Sequence, residues 1–360
     1  MLSTENEKLT DLRIGSVIRT RACPSCYLCG TEGEPLHKGL KDRLFGAPGE
    51  WNIRRCTRSD CGLAWLDPMP LREDIGKAYA AYYTHAFVRE SLAYRLRQHV
   101  KRGYAGLAYG YSKQVSVLDR FLALPVCLLP TLRQQLLATG LMYLRGERIG
   151  RLLEIGCGGG NFLAGMRDLG WEVEGIDFDP VAVDSAHRQY GLEVRHGLFE
   201  DEDYPLDHFD AVVMSHVIEH VADPLVLLAK CRRVLRPGGR LVLLTPNIES
   251  LGHGKFGSSW VHLDPPRHLH LFSLATLREM AVRSGFDITA LRSTTRWARG
   301  VWVLSNYIRN DGATSMLNRG NLNMRLRSIL FHAKEAIILS KDPSLGEEIV
   351  LIASKRGGGN

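Results

Sequence analysis

The segment RLLEIGCGGGN, residues 151–161, is a short apolar run that empties into glycines. Such a run reads as a strand buried on both faces, followed by a tight loop. The chain beyond it keeps the same rhythm. NFLAGMRDLG reads as a helix stopped by glycine, WEVEGIDFD as a second strand, PVAVDSAHRQYG as a helix opened by proline, and LEVRHG as a third strand. FDAVVMSH, RLVLLTPN and FDITALRST add three strands, with ADPLVLLAKCRRVLRPGG and LATLREMAVRSG as the helices between them. EEIVLIASK (347–355) closes the series. Strands alternating with helices of roughly 10–15 residues imply right-handed crossovers, and so an α/β Rossmann-like doubly wound sheet of about seven strands. The last strand follows a helical insertion at 299–345 and is expected to run antiparallel.

In such a sheet, ligands bind beyond the carboxyl ends of the strands, at the point where strand order reverses. Gly156, Gly158 and Gly160 lie there, where glycine lets backbone approach a ligand closely and a helix N-terminus stands behind. Asp177 ends the second strand, a position from which a carboxylate accepts both ribose hydroxyls of a nucleoside. Two features turn the site away from a dinucleotide. Asn161 occupies the place of the third fingerprint glycine, and Glu154 would repel a pyrophosphate while suiting a ligand with an ammonium group.

Taken together, E-x-G-x-G-x-G (154–160), GIDFDP (175–180), FDAVVMSHVIEHVADP (209–224) and VLRPGGRLVLLTPN (234–247) resemble a class I S-adenosylmethionine-dependent methyltransferase of the ubiquinone-biosynthesis type. The resemblance runs in consecutive order over 150–290. It implies that Gly156, Gly158 and Gly160 line the methionine part of the cofactor, with Glu154 near its amino group. Asp177 would then hold the ribose, Phe178 would lie against the adenine, and Gly197-Leu198-Phe199-Glu200 would edge it. Family members often carry Asp where this chain has Leu198.

SHVIEHV (215–221) contains His216, Glu219 and His220 in the H-x-x-E-H spacing of one class of zinc peptidases. That chemistry needs both histidines on one face of a long helix, and here a strand feeds straight into the motif. In the resemblance this is a metal-free signature after the fourth strand. His216 then stands beside the sulfonium methyl, Glu219 and His220 organise the loop, and Asp223-Pro224 caps the next helix. SSWVHLDPPRHLHLFS (258–273) adds His262, Asp264, Arg267, His268 and His270, and the family often has a similar Pro-x-His-x-x-x-Phe segment. His268 is the first candidate for a base that takes the proton of an acceptor hydroxyl, with His216 second. The competing reading has His268 and His270 holding the loop to the sheet.

Ahead of the sheet, Cys26-x2-Cys29-Gly30 and Cys56-x4-Cys61-Gly62 form two knuckles. Paired Cys-Gly knuckles suit a structural zinc held by four thiolates, with no position left open for water. Cys23 offers a competing pair with Cys26. The expected divisions are a tail (1–20), a zinc ribbon (21–70), a helical linker or lid (71–148) and a methyltransferase domain (149–360). A ribbon followed by a helical stretch also resembles a bacterial subgroup associated with glycan or natural-product pathways.

The 360 residues are 45% hydrophobic and 24% charged, ordinary for a globular chain, with a formal charge of +7. The N-terminus lacks the apolar core of a secretory signal, so a cytoplasmic protein is expected. No apolar run reaches the roughly 18–20 residues of a membrane span; FLALPVCLLP (121–130) is too short, and the segment 121–145 is expected to be a core helix, a lid or an interfacial helix. Basic clusters at 89–102, 292–299 and 319–334 suit an anionic partner or a solvated face, and leave peripheral membrane contact open. The leading expectation is methyl transfer to a small-molecule, glycan or lipid-linked acceptor. An RNA methyltransferase gripping its substrate with the ribbon and residues 89–102 is the second reading. Modest net charge and the lack of an N/D-P-P-Y/F motif count against it. A non-catalytic binding module is the third, and the intact glycine loop with Asp177 counts against that.

Overall fold

The computed structural model describes residues 17–80, 92–111, 115–128, 140–310 and 322–357. Most of the expected tail lies outside these residues, as do 81–91 and 129–139 of the expected helical stretch and 311–321 of the insertion.

The N-terminal part builds two small sheets. Strands β2 (Gly33–Leu40), β3 (Trp51–Cys56) and β4 (Ala64–Leu66) pair antiparallel in sequence order, while β1 (Thr20–Arg21) pairs with β5 (Met69–Pro70). A 3-10 helix (Arg72–Tyr79) then leads toward two α-helices, α1 (Leu92–Ala108) and α2 (Val117–Cys127). Ser116 and Asp119 close a capping box at the start of α2, each side chain bonding the other's backbone N–H.

From residue 151 the expected alternation appears. It runs β6 (Arg151–Ile155), α3 (Asn161–Asp168), β7 (Glu172–Asp177), α4 (Pro180–Tyr190), β8 (Val194–His196), β9 (Phe209–Ser215), α5 (Pro224–Val234) and β10 (Leu235–Pro246). The chain continues through α6 (Leu251–Phe256), β11 (His270–Leu271), α7 (Leu274–Arg283), β12 (Phe286–Thr294), α8 (Ala298–Asn310), α9 (Leu322–Leu339) and β13 (Glu348–Lys355). The main sheet has seven strands in the order β12-β13-β10-β9-β6-β7-β8, and β13 runs antiparallel to both its neighbours. Strand order reverses between β6 and β9, which puts a crevice beyond their carboxyl ends.

One boundary departs from expectation. Helix α5 ends at Val234, before Arg-Pro-Gly-Gly, and those residues fall in β10 with a register shift between Leu235 and Arg240. Pro237 cannot donate in a helix interior, and Gly238 (φ +75°) turns the chain into the strand as an irregularity rather than a helix stop.

The two parts share their packing. Strand β11 comes from the loop that follows β10, yet it pairs with β4, so that loop becomes the fourth strand of the N-terminal sheet. One apolar cluster joins Leu40, Trp51, Ile53 and Leu66 of the small sheet to Phe256, Trp260, Leu263, Val301 and Trp302 of the large part. Burying an aromatic side chain removes on the order of 150–250 Å² from water, so this shared core is a substantial joint.

Candidate active site

The loop after β6 turns at Gly156 (φ +69°), where an added Cβ would stand 2.5 Å from Val217 Cγ2. Conformation and space both require glycine there. The N–H of Gly158 donates to Asp177 Oδ2 (2.7 Å) and that of Asp179 to Oδ1 (2.9 Å), so the carboxylate at the end of β7 fixes the glycine loop. Glu154 is buried beneath the loop, and its Oε2 has no hydrogen-bond partner among the described residues. Burial raises its pKa, and the nearby charge of Asp177 raises it further. Phe178 and Leu198 line the rim and stay 46% and 39% exposed, an apolar edge beside a polar cradle. An orphaned buried carboxylate oxygen, a cradle that a Cβ would fill and a half-open apolar rim fit an adenosyl ligand with an amino-acid end.

His216 lies just past β9 in a left-handed conformation (φ +56°), with its N–H donating to the Leu244 carbonyl (2.9 Å). Its Nδ1 lies 3.1 Å from Glu219 Oε1 and its Nε2 3.0 Å from Glu348 Oε1. Burial alone would lower its pKa, but the two carboxylates outweigh that and raise it to about 9. At neutral pH the ring is an imidazolium held between two anions. Arg296 also binds Glu348, with Nε 2.8 Å from Oε2, so this arginine of the 292–299 cluster is a buried ion-pair partner and not a solvated charge.

Two histidines of the 258–273 segment, His262 and His268, continue this group. His262 stacks on His216 (centroids 5.9 Å, 20°) and on His268 (6.4 Å, 10°), and so lies between the two candidates. Burial, and then the charge on His216, lower its pKa to about 3, and its Nε2 has no hydrogen-bond partner among the described residues. His268 donates from Nδ1 to the His262 carbonyl (2.7 Å), which leaves Nε2 as its acceptor nitrogen, 3.9 Å from Asp264 Oδ2. His270 bonds the Val221 carbonyl through Nδ1 (3.1 Å), a loop-holding contact.

The H-x-x-E-H residues occupy a strand end and one 3-10 turn (Ile218–His220) rather than a helix face. Glu219, His220 and His268 each place a ligand atom within 4.8 Å of the others. Both Glu219 oxygens are engaged, by His216 and by Thr245 Oγ1 (3.0 Å), and His220 Nδ1 lies 2.9 Å from Tyr79 Oη and 3.1 Å from the Arg267 carbonyl. Asp223 accepts from the Val226 N–H (3.0 Å), the helix cap read from the sequence.

Several residues of this site carried no local signal. Glu348 opens an apolar closing strand, and Tyr79, whose ring packs 5.0 Å from that of Phe178, comes from the segment with the least motif content. Arg267 is fully buried and ties three regions together, bonding Asp264, Asp42 Oδ2 (2.8 Å) and the Ala78 carbonyl (2.9 Å).

The four knuckle thiols lie together, with Cys26 Sγ 3.7 Å from Cys61 Sγ and Cys29 Sγ 3.4 Å from Cys56 Sγ. A tetrahedral zinc with bonds of about 2.3 Å sets its thiolates about 3.8 Å apart, so the donor set fits that ion. Cys23 stands outside the cluster, its Sγ 3.8 Å from the Arg21 carbonyl. The knuckles are clamped to the large part: Tyr27 Oη bonds Asp223, Thr276 Oγ1 donates to the Cys61 carbonyl (2.5 Å), and Arg283 Nη1 to the Leu28 carbonyl (2.7 Å).

A methyltransferase-domain family matches residues 130–291. A ubiquinone biosynthesis O-methyltransferase of Cereibacter sphaeroides is 39% identical over 130 residues, which cover 34% of this chain and 53% of that protein. One of Maricaulis maris is 37% identical over 179 residues, covering 44% of this chain and 69% of the relative. The chain thus spans about half the length of the first of these relatives. Among solved structures, a S-adenosylmethionine-dependent methyltransferase from Archaeoglobus fulgidus matches at 20% identity and a TM-score of 0.39, over 57% of this chain and 86% of that one. With the glycine loop, Asp177 and the ordered motifs between 150 and 290 in place, the chain belongs to the S-adenosylmethionine-dependent methyltransferases, with ubiquinone biosynthesis O-methyltransferases among its relatives.

Proposed function

We propose that this protein transfers a methyl group from S-adenosylmethionine to a hydroxyl oxygen of a small-molecule acceptor, glycan- and lipid-linked molecules included. The observation that carries the proposal is the juxtaposition of the cradle at 154–178 with the charged histidine at the end of β9. Gly156, Gly158 and Gly160 hold the methionine part, Asp177 the ribose, and Phe178 and Leu198 the two sides of the adenine. When bound, the cofactor supplies an electrophilic methyl whose leaving group is a neutral thioether. The protein's own task is alignment, exclusion of water and management of one proton.

His216, held as an imidazolium by Glu219 and Glu348, cannot accept that proton near neutral pH; with both ring nitrogens committed to those carboxylates, it shapes the methyl-transfer pocket. His268 is the base. Its Nδ1–H is committed to a carbonyl, its Nε2 lone pair is available, and Asp264 stands beside the cation that forms. The oxygen acceptor follows the names of the relatives, which are O-methyltransferases. Cys26, Cys29, Cys56 and Cys61 hold a structural zinc, supported by the thiol spacing.

The test uses labelled S-adenosylmethionine with phenolic, glycan, lipid-linked and RNA acceptors. Label should enter a small-molecule hydroxyl, and His268→Asn should lower kcat about 10²- to 10⁴-fold while leaving S-adenosylhomocysteine affinity unchanged. Label found only in RNA would replace this reading with the nucleic-acid one.

A further inference from the structure

Tyr27 stands between two of the knuckle thiols, Cys26 and Cys29, yet its hydroxyl is used by the other half of the molecule. Its Oη donates to Asp223 Oδ1 and accepts the N–H of Leu225 (3.1 Å), while the same Asp223 oxygen accepts the Val226 N–H (3.0 Å). The first N–H groups of a helix have no partner within it, so α5 is capped jointly by its own aspartate and by a hydroxyl from the ribbon. The Tyr27 ring also packs 5.3 Å from that of His270 in β11, which bonds the Val221 carbonyl through Nδ1. Beside it, the Leu269 N–H donates to the Glu219 carbonyl (2.7 Å). The turn after β9 is therefore held from the ribbon side along its carbonyls and at its exit. That turn carries Glu219, whose carboxylate grips His216. In a Cys-x2-Cys knuckle both thiolates reach one metal ion, and Tyr27 lies inside the loop they close, so metal occupancy fixes where its hydroxyl sits.

We propose that Tyr27 is a positioning residue for methyl transfer: the metal-loaded knuckle sets its hydroxyl in the α5 cap, and that cap holds the turn that presents His216. Metal occupancy of the knuckle then governs the reaction side and leaves cofactor binding alone. This role rests on the readings of the four thiols as a zinc site and of the His216 end as the place of methyl transfer.

Three variants, Tyr27→Phe, Cys56→Ser/Cys61→Ser and their combination, test it against the unaltered full chain. Tyr27→Phe keeps the ring and the four thiols and removes only the hydroxyl. In it the Leu225 amide should exchange faster, and the His216 ring, followed by NMR, should titrate below its unaltered value of about 9. With the labelled acceptor panel, kcat should fall about 10- to 100-fold while S-adenosylhomocysteine affinity stays within about twofold. The double cysteine variant should show changes at least as large. Adding Tyr27→Phe to it should lower kcat by less than about twofold more, because both act through one hydroxyl. An unchanged His216 titration in Tyr27→Phe, a matching fall in S-adenosylhomocysteine affinity, or fully multiplicative effects in the combined variant would overturn the assignment. An unaltered protein that holds no zinc would overturn the metal dependence. If it bound S-adenosylhomocysteine but labelled no acceptor, the proposed function would fall, while the His216 titration would still decide the role of Tyr27.

Discussion

The proposed cofactor side and the proposed reaction side of this molecule are built in opposite ways. On the cofactor side, each polar group is placed by its own strand end: the glycine loop by β6, Asp177 by β7, and the 197–200 segment by β8. On the reaction side, each important contact spans a long stretch of chain. Asp42 meets Arg267, Tyr79 meets His220, and Glu348 meets His216 across the antiparallel last strand. The first arrangement needs only a correctly wound sheet. The second needs the N-terminal sheet docked on the large one, with β11 as the shared strand.

The contrast can be broken at its joint. Arg267 is a fully buried cation between Asp264 and Asp42, and removing one partner of a buried ion network leaves uncompensated charge. Arg267→Met should cost about 3–5 kcal/mol in chemical denaturation. A loss under about 1 kcal/mol would mean that the two parts do not depend on that network.

Asp177→Ala acts on the other side. It removes one charge-assisted bond that pins the glycine loop, a second to the Asp179 N–H and the proposed ribose contact, so S-adenosylhomocysteine affinity should fall about 10²- to 10³-fold while the melting temperature changes little. An affinity within about threefold of the unaltered protein would sink the cradle assignment.

His216 sharpens the comparison through pH. Its folded pKa is raised to about 9, above the ordinary imidazole value of about 6.5. The stabilisation it contributes is therefore complete below about pH 6.5 and is lost as pH rises through about 9. Thermal melts from pH 6 to 10 should show the unaltered protein losing its advantage over His216→Gln across that window. Parallel curves would mean that the ring is not held as a cation.

The smallest effect concerns the seam between knuckle and helix. Gly62 (φ +69°) lies where a Cβ would stand 2.7 Å from Ser273 Oγ, the hydroxyl that caps α7. Gly62→Ala should cost about 1–2 kcal/mol, measured by denaturant midpoint.

What the sequence made legible follows the same division. The seven strands, the antiparallel last strand, the glycine loop and the Asp223 cap could be read because local periodicity and turn chemistry specify them. The partners of the histidines could not. Glu348 looked like a polar start to an apolar strand, Arg296 like a member of a basic cluster, and His262 like one histidine among several. Their meaning depends on which distant element each one faces, and no spacing rule carries that information. Even β11 hides in sequence, because two residues paired to β4 leave no period to detect.

In this arrangement the thiol knuckles and the proposed reaction-side loops form one cooperative unit, and the proposed cofactor cradle does not depend on it. Hydrogen–deuterium exchange on the unaltered protein and on Cys56→Ser/Cys61→Ser tests it most directly. Faster exchange is expected in the double variant at 21–66, at 216–223 and at 258–273, with 151–178 unchanged. Acceleration confined to 21–66 would contradict it.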